Sequence, residues 1–212
     1  MSRVIFVRHG ESVWNEGRRF QGRSDPGLSP QGLAQAASLA DRLCVFARPA
    51  ALYTSPLRRA AETAQVIGQA VGLAPRVEAD LQEMGLGKWE GLTPPEIRAR
   101  WGEAYLRWQE NPAGNEPPGG ELMATFGARV VAAVERLHTA HADEAIVIVS
   151  HGGAIRAYLC GVLGLGPSHL FRLALENASL SEVRMDGARA RLALWNDTSH
   201  LHDGARPSAS GL

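Results

Sequence analysis

The chain has only two cysteines in 212 residues, Cys44 and Cys160. Both fall in apolar helical patterns, so they read as buried structural thiols rather than a disulfide, which suits a reducing cytoplasm. No apolar run approaches the roughly 20 residues that a membrane-spanning helix needs. The amino terminus, Met1-Ser2-Arg3, enters a strand-like run at once, without the ordered regions of a secretory leader. Neither sign of charge dominates, with 22 basic against 22 acidic residues, and no long basic run offers a footing for nucleic acid or an anionic membrane. No internal repeat at a solenoid period is present. The expectation is a cytoplasmic protein with no nucleic-acid or membrane partner. A small acidic substrate stays open, because a pocket can be cationic on a neutral chain.

What is present is a globular composition, 45% hydrophobic and 21% charged, enough for one domain with one core. We expect that domain over residues 1–202 and a frayed, small-residue tail over 203–212. Short β-rich runs alternate with helical patterns, the signature of an α/β layer fold. Val4–Val7 and Ala145–Val149 read as buried strands, with weaker candidates at Ala51–Tyr53 and Arg76–Ala79. Leu180–Met185 and Arg191–Trp195 flank Asp186-Gly187, which reads as a hairpin turn. Ser29-Pro30 reads as an N-cap with proline at the first helical position, and Ser55-Pro56 repeats the device for a helix ending at Gly72. Further helices are expected from about Leu122 to His138 and from Ala154 to about Leu163. The segment at about 92–120, with Trp101, Tyr105 and Trp108, reads as a lid over one edge of the sheet.

Two segments resemble each other: Val4-Ile-Phe-Val-Arg-His-Gly10 and Ile146-Val-Ile-Val-Ser-His-Gly-Gly153. In each, a strand ends in histidine and then glycine. Ligand sites of open α/β sheets lie past the carboxyl ends of the strands, so parallel neighbours would place both imidazoles at one edge. Glycine lets the backbone turn sharply there and approach a ligand. Arg58 and Arg59 sit in the first turn of a helix, where the macrodipole disfavours cations by about 0.3–1 kcal/mol. A bound anion would reverse that cost. Arg58 reads as solvated, and Arg59 as functional chiefly through the family resemblance that follows.

These pieces occur in a longer ordered set: Arg8-His9-Gly10-Glu11, Trp14-Asn15, Gln21-Gly22, Ser55-Pro-Leu-Arg-Arg-Ala60, Glu83 ahead of Trp89-Glu90-Gly91, and Ser150-His151-Gly152. The set resembles the histidine phosphatase superfamily, also called phosphoglycerate-mutase-like, from about Arg3 to Leu201. The resemblance implies a three-layer α/β/α sandwich with a mostly parallel sheet, one antiparallel strand and helices on both faces. It also implies a phosphomonoester hydrolase working through a phosphohistidine. His9 would be the nucleophile, Arg8, Arg59 and His151 the charged donors to phosphate, and Glu83 the general acid. Asn15, Gln21, Gly22 and Gly152 would complete the phosphate site. Catalysis of this kind is chiefly positioning and charge stabilisation. It needs no metal and no cofactor.

The alternative within the family is mutase-type phosphoryl transfer. The mutases that resemble this region carry a longer, basic insertion after the position of Glu83; here only Arg98, Arg100 and Arg107 cluster, so hydrolysis is expected. A non-catalytic phosphate-binding module and a metalloenzyme using His9, His151 and Glu83 are the other classes weighed. His138, His141, His200 and His202 read as surface histidines. Trp101 and Trp108, seven apart, read as packing on one helix face, and as favouring a ring-bearing leaving group if they line the mouth. Leu122 stands where serine is usual after Gly119-Gly120-Glu121. The expected substrate is a small phosphate monoester, with a sugar phosphate, a phosphoglycerate derivative, a nucleotide-derived phosphate or a broad range all open. Exposed sheet edges leave room for a homodimer.

Overall fold

A computed structural model describes residues 2–187 and 189–201. His202 and the segment 203–212 lie outside the described residues. Six strands form one sheet: β1 (Ser2–Arg8), β2 (Ala51–Thr54), β3 (Arg76–Val77), β4 (Ala145–Ser150), β5 (Leu180–Asp186) and β6 (Arg189–Asp197). Their order is β3-β2-β4-β1-β5-β6. The first four in that order are parallel, while β5 runs antiparallel to both β1 and β6. The helices are α1 (Val13–Glu16), α2 (Pro30–Phe46), α3 (Arg58–Val71), α4 (Pro94–Glu110), α5 (Met123–Thr139) and α6 (Gly152–Val162).

Strand periodicity sorts the core into two layers. Val4 and Phe6 of β1, with Ile146 and Ile148 of β4, pack against Phe126, Val130 and Val134 of α5 and Ile155 and Leu159 of α6. Ile5, Val7, Val147 and Val149 face the other way, onto Leu39 and Leu43 of α2 and Ala60, Ala64 and Ile67 of α3. Strands covered on both faces have no polar side to alternate, which is why β1 and β4 read as continuous apolar runs. The result is a three-layer α/β/α sandwich.

Several local readings shift. Ser29 caps α2 as expected, its side chain accepting from Gly32 N. Ser55 does not cap α3, which starts three residues later with Leu57 at its N-cap and no side-chain bond there. Pro56 leaves room for one more extended residue, so the Ser55 hydroxyl is released for another use. Cys44 is exposed and only Cys160 is buried. The periodic apolar stripe of α2 runs through Leu39, Ala40 and Leu43, and Cys44 lies beside it. β3 is two residues long, because a tight helical turn takes over at Ala79. Of the four histidines read as surface, His138, His141 and His200 are half-buried and hydrogen-bonded, to Ser2, to Tyr53 and Glu144, and to the Ala178 carbonyl.

Candidate active site

β1 and β4 pair in parallel from Arg3↔Ala145 to Arg8↔Ser150, so His9 and His151 leave the sheet side by side. Their ring centroids are 5.2 Å apart. Both are buried, at 3% and 0% exposure. In front of them opens a cavity of about 520 Å³ whose wall carries Arg8, His9, Asn15, Gln21, Gly22, Arg59, Glu83 and Gly152. Eight of the nine anticipated residues thus share one cavity; the ninth, His151, does not line it but has its ring 5.2 Å from that of His9.

The tautomer of His9 follows from its neighbours. Nδ1 is 2.7 Å from the Gly10 carbonyl, which can only accept, so Nδ1 carries the proton. Arg59 Nε–H donates to Nε2 at 3.3 Å, so Nε2 holds a lone pair. That atom is therefore a ready nucleophile. Burial, then the Arg59 and Arg8 charges, hold the His9 pKa well below 6.5, so the ring stays neutral near neutral pH. His151 is held low by burial and by Arg59, His9 and Arg8. Its Nε2 bonds Ser55 Oγ at 2.7 Å, and its buried Nδ1 has no protein partner.

The two arginines of the Arg58-Arg59 pair separate by geometry. Arg58 points outward to Glu62. Arg59 is 1% exposed, and its two terminal nitrogens donate to the carbonyls of Ser24 and Gly22, each at 2.8 Å. Gly22 presents its carbonyl from φ +52, with Glu90 packed where a side chain would be. Glu90 accepts from Arg23 N, Ser24 N and Leu86 N and thereby holds the turn. Asn15 and Gln21 share Ser12 through their side-chain oxygens, at 3.0 and 2.9 Å, leaving their amide nitrogens as the free ends. Arg8 bonds the Leu175 carbonyl, while its Nε is buried without a partner. Burial, then Arg156, lowers the Arg8 pKa to about 10, and burial lowers Arg59 to about 10, so both stay cationic at neutral pH.

Glu83 lines the same cavity, on the segment after β3. Its Oε2 accepts from Gly153 N at 2.9 Å, and Oε1 from Met84 N at 2.9 Å. A side chain on Gly153 would come within 2.3 Å of Glu83 Oε1, so only glycine admits this contact. Gly10, in contrast, lies against the Gly32 backbone of α2 and not against the cavity.

Sequence reading missed Arg156, which lines the cavity and donates to the Leu173 carbonyl. Its one signal is that it lies one helical turn after Gly152, on the same face of α6. Tyr105, Trp108 and Gln109 of α4 also line the wall, with Phe20 and Phe171. Trp101 does not, because α4 kinks there (φ −136, ψ 38) and breaks the seven-residue register. Trp108 is 7% exposed and serves both as packing and as wall. Among the described residues, no group of three histidine, cysteine, aspartate or glutamate side chains is placed to hold a metal ion.

The profile of the histidine phosphatase superfamily (branch 1) matches residues 4–198. Phosphoserine phosphatase 1 of Hydrogenobacter thermophilus is 36% identical over 201 residues, covering 95% of each chain. A probable phosphoglycerate mutase, GpmB of Yersinia enterocolitica, is 36% identical over 211 residues, again covering 95% of each. The solved structure of mycobacterial glucosyl-3-phosphoglycerate phosphatase in complex with VO3 superposes with a TM-score of 0.85 at 35% identity, over 92% of this chain and 99% of that one. The chain belongs to the histidine phosphatase superfamily, branch 1.

Proposed function

We propose that this chain hydrolyses small phosphate monoesters through a phosphohistidine on His9. The observation that carries the reading is the locked tautomer of His9, whose unprotonated Nε2 meets Arg59 inside a cavity that also holds Arg8 and Glu83. Nε2 attacks phosphorus and the bond to the leaving oxygen breaks, while the Glu83 carboxyl gives that oxygen its proton. Arg8 and Arg59 receive the equatorial oxygens, with His151 Nδ1 and the Asn15 and Gln21 amides as further donors. Water then attacks the phosphohistidine, Glu83 takes its proton, phosphate departs, and Nε2 recovers its lone pair.

Hydrolysis is favoured over mutase transfer by the residues around the mouth. Arg98, Arg100 and Arg107 of α4 are exposed and none lines the cavity, so the α4 segment adds no basic cover over the phosphorylated enzyme. Relatives named for phosphoserine and glucosyl-3-phosphoglycerate support a carboxylate-bearing phosphate as substrate. Residues 1–202 then act as one domain, with about 92–120 as lid. The two unpaired cysteines support a reducing, cytoplasmic setting. The balanced charge supports the lack of nucleic-acid or membrane partners, and the edge strand β6 leaves room for a second copy.

The test is to expose the protein to phosphoserine and follow phosphate release beside exchange between 3- and 2-phosphoglycerate. We expect release to dominate and acid-labile phosphate to accumulate on His9. A His9→Ala variant that stays folded and still turns over would overturn the mechanism.

A further inference from the structure

The segment that carries Glu83 makes no ladder of its own, yet four successive carbonyls in it are each tied down. Arg129, on α5, donates from Nη1 to the Asp80 carbonyl at 2.7 Å and the Gln82 carbonyl at 2.9 Å. Its Nη2 donates to the Glu83 carbonyl at 3.0 Å. The remaining two N–H groups form a fork on Glu121, at 2.8 and 2.9 Å. The skipped carbonyl, Leu81, is taken by Ser150 Oγ at 2.8 Å, from the strand end that leads into His151. All five guanidinium protons are therefore used, three of them on backbone around one carboxylate. Only a planar five-donor group can do this; lysine has three donors and no fork.

Glu121 extends the clamp past Glu83. Both its oxygens accept from Arg129, and Oε2 also accepts from Gly85 N at 3.2 Å. The backbone on both sides of Glu83 is thus fastened to one ion pair, whose side chains are 15% and 11% exposed. The carboxylate end of Glu83 is fixed separately, by Gly153 N. Among the described residues no hydrogen bond joins Arg129 or Glu121 to Arg8, His9 or Arg59; toward the cradle, Glu121 Oε1 pairs with Arg23, beside Gly22, at 3.1 Å.

We propose that Arg129, paired with Glu121, is a positioning residue for the general acid: it sets the height of Glu83 over the leaving oxygen. The proposal rests on the reading of Glu83 as the acid. Misplacing an acid matters in proportion to how badly the leaving group needs a proton. A merely structural clamp would lower rates evenly for every ester.

The experiment measures kcat/KM for phosphoserine, phenyl phosphate and para-nitrophenyl phosphate, in order of improving leaving group, for wild type, Arg129→Lys, Glu121→Gln and Glu83→Gln. General acid catalysis contributes about 100- to 10,000-fold. Arg129→Lys should therefore lower kcat/KM for phosphoserine by at least about tenfold while leaving para-nitrophenyl phosphate within about threefold, the same sense as Glu83→Gln. Glu121→Gln keeps one acceptor and should fall between, and it carries the test if Arg129→Lys does not fold. Equal losses for all three esters in the clamp variants, with a leaving-group bias in Glu83→Gln, would overturn the clamp alone. No bias in Glu83→Gln would overturn the acid itself.

Discussion

His9 and His151 meet edge to face, tilted by 60° at 5.2 Å, and both are buried, with only His9 showing an edge to the cavity. Two imidazolium ions could not share that space. The strands that deliver them are hydrogen-bonded neighbours, so the pair cannot spread to relieve the repulsion. The fold therefore requires both rings neutral until an anion enters, and proton binding opposes folding.

That requirement has a pH signature. Burial, with Arg59 next, depresses both folded-state pKa values below the unfolded value of about 6.5. Their contribution is fully present above about pH 6.5. It is lost as pH falls from there toward the folded pKa values, because the unfolded chain takes protons the buried rings refuse. The carboxylates Glu182 and Asp197, also depressed despite their burial by Arg3 and by Ser199 with Arg42, lose their contributions only in a more acidic window. Melting temperature should fall between pH 7 and 5, and a double His9→Asn, His151→Asn variant should flatten that fall. An unchanged slope in the double variant would contradict neutral burial.

Ser55 separates two roles that a sequence pattern confuses. As an N-cap its loss would weaken α3; as observed, its hydroxyl reaches His151 Nε2 and accepts from Leu57 N. With Nδ1 free for an anion, the hydroxyl proton points to Nε2 and sets the tautomer of His151. A net hydrogen bond is worth about 0.5–1.5 kcal/mol, so Ser55→Ala should lower kcat/KM by about three- to tenfold. Steady-state rates measured beside thermal melts would show activity changing more than stability. The reverse pattern would return Ser55 to a capping role.

The scaffold was legible because it depends on local rules, and β1 and β4 announced themselves as apolar runs. The cradle was legible through the ordered motifs of the family resemblance, since a cation in the first turn of a helix does not by itself tell Arg59 from Arg58. What stayed hidden depends on distant chain segments meeting. Nothing near Arg129 in sequence refers to Asp80, Gln82 or Glu83, which lie 46 to 49 residues away. Cys44 was misread because one residue of helical phase separates a buried from an exposed face. Trp101 packs in the cluster of Trp108 as the spacing implied, but that only Trp108 reaches the cavity follows from a kink that spacing does not show.

Leu122 provides a stability test free of the chemistry. It occupies the N-cap of α5 in an extended conformation (φ −65, ψ 133) and supplies no side-chain acceptor. It is also 58% exposed, so little apolar burial is at stake. Leu122→Ser places a hydroxyl where the first free N–H groups of α5 need one, for a gain of about 0.5–2 kcal/mol. Urea unfolding should show a higher midpoint at unchanged slope. A lower midpoint would mean that the leucine packs in a way its exposure does not reveal.

Arg58 and Arg59 form the sharpest contrast in the chain. Arg58 Nε pairs with Glu62 across one helical turn with 65% of its side chain in water, an arrangement worth about 0.3–0.5 kcal/mol. Arg58→Ala should leave kcat/KM within about twofold and stability within that figure. Arg59 donates at once to His9, Gly22 and Ser24, and no lysine reproduces three directions from one plane. Removing one preorganised donor from a developing anion costs about 100- to 1,000-fold, so Arg59→Lys should lose at least that much in kcat/KM with its charge intact. Titration with vanadate, followed by tryptophan fluorescence, should show weaker binding in Arg59→Lys and wild-type binding in Arg58→Ala. Equal effects of the two substitutions would mean that charge at the end of α3, and not the direction of one guanidinium, governs the site.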